Sequence, residues 1–160
     1  MARPQRSRQH GRVREAAPSR YGSGPASPVL TGVLLDSDVI IEILRGNARI
    51  AGALGAMERG SIPTYCSAVS WAEIFAGIRP GEEPAAEGFL HARGEVVIDA
   101  ATGRRAGSYL LRYARSHGIG ITDALIAAAA STTGLQLWTL NRRHYPMDDL
   151  RLFAAAAPEG

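Results

Sequence analysis

Lysine is missing from this chain; all eighteen basic residues are arginine. Cysteine occurs once, at Cys66, so no disulfide can form within the chain, and thiolate zinc sites are excluded. That cysteine usage favours a cytoplasmic protein. Long apolar runs are also missing. The longest unbroken one, residues 124–130, is far too short to cross a membrane. Several common catalytic signatures are absent too. There is no GxxxxGK[ST] phosphate loop and no GxGxxG fingerprint. There is no GxSxG elbow. His10, His91, His117 and His144 form neither HExxH nor any zinc-like spacing. What remains for chemistry is carboxylates.

The charge is unevenly spread. Residues 1–28 carry six arginines against Glu15, a net +5, whereas the other 132 residues carry twelve arginines against fourteen acids, a net −2. The high isoelectric point therefore belongs to the N-terminal segment. The remainder does not read as a basic nucleic-acid-binding module. Residues 1–30 are rich in Arg, Pro, Gly and Ser and show neither helical nor strand periodicity, so they are expected to be a disordered extension. An Arg-rich arm of this kind adds non-specific affinity for RNA. The alternatives are a passive tail or a translation start read upstream of the domain. Residues 31–160 are long enough to bury a core of their own and are expected to form one domain.

Within that domain apolar strand-like and helical segments alternate. Strands are expected over 33–36, 62–67, 96–99, 135–139 and 151–153, and helices over 39–45, 47–59, 69–78, 82–93, 100–117 and 123–133. This alternation predicts an α/β fold with a parallel sheet covered on both faces. Ser37 or Asp38 is expected to cap the first helix, Ser70 the third and Thr122 the last.

Asp36 ends the apolar run Val33-Leu34-Leu35, and open α/β sheets bind ligands at the carboxyl ends of their strands. Glu73 borders the helical stripe of Trp71, Ile74 and Phe75, and Asp123 opens an almost wholly apolar helix. Each acid alone also fits a plain role: a cap or turn residue, a solvated helical Glu, or a charge on a helix dipole. Gathered together they would repel and their pKa values would rise, a conflict that a divalent cation removes. Mg²⁺ and Mn²⁺ prefer such oxygen ligands, and they suit phosphodiester hydrolysis.

Four stretches in order then carry a family likeness. They are Leu34-Leu35-Asp36-Ser37-Asp38-Val39-Ile40-Ile41; Ala68-Val69-Ser70-Trp71-Ala72-Glu73-Ile74-Phe75-Ala76-Gly77; Thr122-Asp123-Ala124-Leu125-Ile126-Ala127-Ala128-Ala129-Ala130; and Trp138-Thr139-Leu140-Asn141-Arg142-Arg143-His144-Tyr145-Pro146. Together they resemble the successive motifs of PIN domains, in the form seen in VapC-type toxins of type II toxin–antitoxin pairs. The resemblance implies a PIN-like five-stranded, mainly parallel sheet between helices. It implies a Mg²⁺- or Mn²⁺-dependent endoribonuclease acting on RNA. It also implies a homodimer, and a cognate antitoxin that inserts a segment near the site.

Asp36, Glu73 and Asp123 match the family's first three acidic positions and are the implied metal ligands. The fourth position, acidic in many members, is Asn141 here, a neutral oxygen donor. Thr139 matches a supporting hydroxyl, and His144 replaces a downstream Asp. Two other readings remain open. One is a catalytically degenerate PIN domain that binds RNA or protein. The other is an unrelated α/β domain whose acids are caps.

Overall fold

A computed structural model describes residues 29–155. The extension expected over residues 1–30 lies outside the described residues apart from Val29 and Leu30. Four strands, β1 (Val33–Leu35), β2 (Thr64–Ser67), β3 (Gly94–Val96) and β4 (Gln136–Trp138), form a wholly parallel sheet in the order β3-β2-β1-β4. The helices are α1 (Ser37–Leu44), α2 (Ala48–Arg59), α3 (Ala68–Ala76), α4 (Glu83–His91), α5 (Ala100–His117) and α6 (Ile121–Thr133). A 3-10 turn follows at Arg142–His144.

Alternation along β1 divides the core. Leu34 joins Leu137 and the alanines of α6 on one face, packed beneath α5. Val33 and Leu35 join Val39, Ile40, Ile74, Leu90 and Trp138 on the other, beneath α1 to α4. A strand buried on both faces reads as a continuous apolar run, which is why Val33-Leu34-Leu35 was legible as a central strand. Each such leucine, fully buried, contributes about 1.5–3 kcal/mol.

The sheet differs from the expected five strands. Residues 151–153 contribute one parallel bridge, Leu137 with Leu152, held by Leu137 N–H to Arg151 O (2.8 Å) and Phe153 N–H to Leu137 O (2.7 Å). Two other strands are displaced from their expected positions. β2 starts after Pro63, which has no N–H to give and whose carbonyl instead accepts from Val33 (2.9 Å). β3 starts at Gly94, opposite Tyr65, because the tyrosine ring occupies the space where a Cβ would stand, at 2.5 Å.

The caps also shift. Asp36, not Ser37 or Asp38, is the N-cap of α1, its side chain accepting from Ser37 N–H. Ser67 rather than Ser70 precedes α3, and Gly120 rather than Thr122 precedes α6. Asp, Ser and Thr all suit an N-cap, so the backbone angles decide among neighbours.

Candidate active site

The site forms where β1 and β4 end side by side. Leu35 pairs with Trp138, and Asp36 N–H donates to Trp138 O at 2.9 Å. The next residues therefore leave the sheet together: Asp36 into the cap of α1, and Thr139 into the turn that carries Asn141 and His144.

Asp36 is 7% exposed. Its Oδ1 accepts from Ser37 N–H (2.8 Å) and its Oδ2 from the Tyr145 hydroxyl (2.7 Å). Burial, and then the neighbouring charge of Asp38, push its pKa up to about 6, despite the hydrogen bonds from Tyr145 and Ser37 that favour the anion. Asp38 is also raised, mainly by burial. Its Oδ2 accepts from Thr139 Oγ1 (3.2 Å), Leu140 N–H (3.0 Å) and Asn141 N–H (3.1 Å), whereas its Oδ1 is buried without a partner among the described residues.

Asp123 lies in the first turn of α6, where its Oδ2 accepts from Gly120 N–H (2.8 Å) and favours the positive end of the helix. His144 Nδ1 stands 3.5 Å from that oxygen and 2.9 Å from Asn141 Nδ2. A neutral His144 accepts from the amide, and a protonated one faces the carboxylate. Asn141 also donates its backbone N–H to Thr139 Oγ1 at 3.0 Å. Glu73, half-buried on α3, receives the Ser37 hydroxyl at Oε2 (2.5 Å).

Of the residues singled out in the sequence, Asp36 and Asp123 share one neighbourhood. Tyr145 reports it: burial, and then the negative charges of Asp36, Asp123 and Asp38, hold its phenol far above the ordinary tyrosine range. Glu73 reaches the group through Ser37, which adjoins Asp36. Thr139 and Asn141 join it through Asp38.

Among the described residues, no three His, Cys, Asp or Glu side chains are drawn into a ready-made metal cluster. The donor chemistry nevertheless fits a hard divalent cation. The donors are carboxylate oxygens; one of them, Asp38 Oδ1, is buried and unpaired, and Asp36 is a carboxylate whose charge is uncompensated. The residues available to such an ion are Asp36, Asp38, Glu73 and Asp123.

Three contributors escaped the sequence reading. Tyr145 offered one signal, since a buried tyrosine needs a partner for its hydroxyl. Asp38, expected as a cap or at the edge of the site, holds the turn after β4. Ser37, also expected as a cap, instead gives Glu73 its donor. The partners involved lie 36 to 109 residues away in sequence.

Known proteins share this chain's pattern. The PIN domain family model matches residues 33–150. The curated Ribonuclease VapC10 of Mycobacterium tuberculosis is 40% identical over 116 residues, covering 72% of this chain and 86% of the relative. Ribonuclease VapC19 of the same organism is 33% identical over 115 residues, covering 71% and 92%. Among solved structures, DNA-bound VapBC from Salmonella typhimurium superimposes with a TM-score of 0.66 at 19% identity, covering 78% of this chain and 98% of that one. VapBC2 from Rickettsia felis, bound to a promoter DNA fragment, gives 0.64 at 19% identity, covering 76% and 96%. At such identities the structural likeness speaks for the fold.

Proposed function

This chain belongs to the PIN domain family, among its VapC-type members, and on that footing we propose that it is a metal-dependent endoribonuclease, the toxin of a type II toxin–antitoxin pair. The observation that carries the reading is Asp36, buried at the carboxyl end of β1 beside Asp38 and bonded through both of its oxygens. Burying Asp36 beside Asp38 carries an electrostatic cost that a bound cation would offset. Relatives named as ribonucleases support the activity.

In this reading Asp36, Asp123 and Glu73 hold Mg²⁺ or Mn²⁺. A cation bound there supplies an activated water and offsets charge at the phosphodiester. The chain's own groups orient the ligands. Ser37 N–H and the Tyr145 hydroxyl fix the two oxygens of Asp36, and the Ser37 hydroxyl fixes Glu73. Thr139 and Asp38 together hold the turn that brings Asn141 and His144 beside Asp123. Arg142 and Arg143 lie on the same turn and supply positive charge for RNA phosphates.

The partner is a cognate antitoxin, a reading supported by the toxin–antitoxin complexes among the structural neighbours. A groove of about 400 Å³ between α1, α3 and α4 leads to Glu73 and is lined by Ile41, Leu44, Ile74 and Ile78. Arg45, Arg79 and Glu82 join these apolar side chains, a mixed lining that suits an inserted segment near the site. A homodimer completes the proposal, supported by the exposed apolar side chains of Val97, Leu111 and Ile121. We place the protein in the cytoplasm; no helix of the described residues is long and apolar enough to cross a membrane.

A second reading, a PIN domain that binds RNA or protein without cutting, is favoured by one observation: the donors do not close into a cluster of three. Purified protein, free of antitoxin, incubated with total bacterial RNA separates the two. The nuclease gives discrete fragments that require Mg²⁺ or Mn²⁺ and vanish in Asp36→Asn. Intact RNA under every metal condition, from folded protein, supports the binding module.

A further inference from the structure

We infer that Tyr145 is a positioning residue for Asp36, and that the segment from Tyr145 to Asp149 is a strap pinned at both ends to hold it there. The inference rests on the proposed metal-dependent nuclease and deepens it.

The first pin is the hydrogen bond from the Tyr145 hydroxyl to Asp36 Oδ2, 2.7 Å long and buried, joining residues 109 apart in sequence. The second pin is Asp149. Its carboxylate accepts from the Tyr109 hydroxyl (3.0 and 2.9 Å) and pairs with Arg105 Nη2 (3.2 Å). Tyr109 and Arg105 both also bond Ser131 Oγ, at 2.9 and 3.2 Å, so α5 and α6 clamp the same point. Met147 between the pins, and Leu150 just after the second, are buried in the core shared with α5 and α6.

The physical need is orientation. The terminal torsion of an aspartate is broad, so a carboxylate held at one oxygen turns easily. Ser37 N–H holds Oδ1, and the Tyr145 hydroxyl holds Oδ2. With both held, the plane of the carboxylate is fixed, and each oxygen keeps a lone pair free for a ligand. The alternative is that Tyr145 is a core aromatic whose hydroxyl merely found a partner. Tyr145→Phe distinguishes the two, because it keeps the buried ring and removes only the donor.

The test is Mn²⁺ titration by calorimetry on the metal-free full-length protein without RNA, together with steady-state cleavage. The wild type, Tyr145→Phe, Asp149→Ala and Asp36→Asn are compared. We expect Tyr145→Phe to weaken Mn²⁺ binding, and to lower kcat, by about ten- to a hundredfold, with KM for RNA unchanged and the protein still folded, at a somewhat lower thermal midpoint. Asp149→Ala, a largely exposed change remote from Asp36, should give a smaller loss in the same direction. Wild-type Mn²⁺ affinity and kcat in Tyr145→Phe would overturn the inference, as would a defect confined to KM. If Tyr145→Phe proves unstable, Asp149→Ala decides: wild-type Mn²⁺ affinity there would overturn the strap. If the wild type itself binds no Mn²⁺ and matches Asp36→Asn, the metal reading has failed, and the inference fails with it.

Discussion

Thr139 donates its hydroxyl to Asp38 across 101 residues of chain, and the same carboxylate oxygen takes the backbone N–H groups of Leu140 and Asn141. One side chain in the first turn of α1 thus holds the whole turn that follows β4. The two acids of Asp36-Ser37-Asp38 have separate tasks. Asp36 is held by Ser37 and Tyr145. Asp38 leaves the cap to Asp36 and serves as a fastening for the Asn141–His144 segment.

Asp38→Ala should therefore loosen that turn rather than α1. Three donors lose a charged acceptor, though Leu140 is exposed enough for water to replace it. Releasing a buried carboxylate offsets part of the loss. A net destabilisation of about 1–3 kcal/mol in urea unfolding is expected. Amide hydrogen exchange localises it, with Leu140 and Asn141 exchanging faster and the first turn of α1 unchanged. Faster exchange in α1 instead would return the capping role to Asp38.

Burial makes the charge of Asp36 costly. Its folded-state pKa of about 6 stands above the ordinary 3.8, so folding favours the protonated form. The stabilising effect of that proton is fully present below about pH 4 and is lost as pH rises through about 6. Ionised Asp36 then costs the metal-free protein about 3 kcal/mol. Asp36→Asn keeps the shape and removes the charge, its amide oxygen accepting from Ser37 N–H and its NH2 facing the Tyr145 oxygen. It should be more stable than the wild type near pH ~7.5 by up to that amount, with the gap closing toward pH ~4. Equal thermal midpoints across the range would show that the buried charge is compensated in some other way.

Much of this arrangement was legible in local sequence. The run Val33-Leu34-Leu35 announced a buried strand, and Asp36 stood where a sheet-top site needs an acid. Asp123 at the head of an all-round apolar helix was equally visible, since a buried helix rarely opens with a charge without cause. What stayed hidden depends on contacts between distant residues. Tyr145 reaches Asp36 only because the strap returns over the end of β1. Ser37 meets Glu73 because α3 packs beside α1. The fifth strand failed for the opposite reason. Residues 151–153 have a strand-like composition, but they meet β4 through a single bridge.

Ser37→Ala tests the contact to Glu73 directly. It leaves the Ser37 N–H on Asp36 in place and removes only the 2.5 Å donor to Oε2. The loss of one hydrogen bond to a charged acceptor should cost about 1.5–3 kcal/mol of stability at most. Cleavage should fall by about tenfold if Glu73 must be held in place for the reaction. Full activity with a lowered thermal midpoint would confine the Ser37–Glu73 pair to a structural role.

Addition of Mn²⁺ links the site's charge to its stability. A cation that binds only the folded chain raises stability by about 2.7 kcal/mol at a hundredfold excess over Kd. Asp36 must be ionised to serve as a ligand, and it retains its proton up to about pH 6. Below that pH the cation has to displace the proton, so its apparent Kd should rise about tenfold per pH unit. The Mn²⁺-induced rise in thermal midpoint should accordingly be large near pH ~7.5 and small near pH ~5, and Asp36→Asn should abolish the difference between the two. Metal-free stability runs the other way with pH for the same residue, being greater where Asp36 is protonated. Opposite slopes with and without Mn²⁺ are thus the signature of one carboxylate that burial penalises and a cation relieves. A shift of the same size at both pH values would remove Asp36 from the ligand set and leave Asp123 and Glu73 to hold the ion.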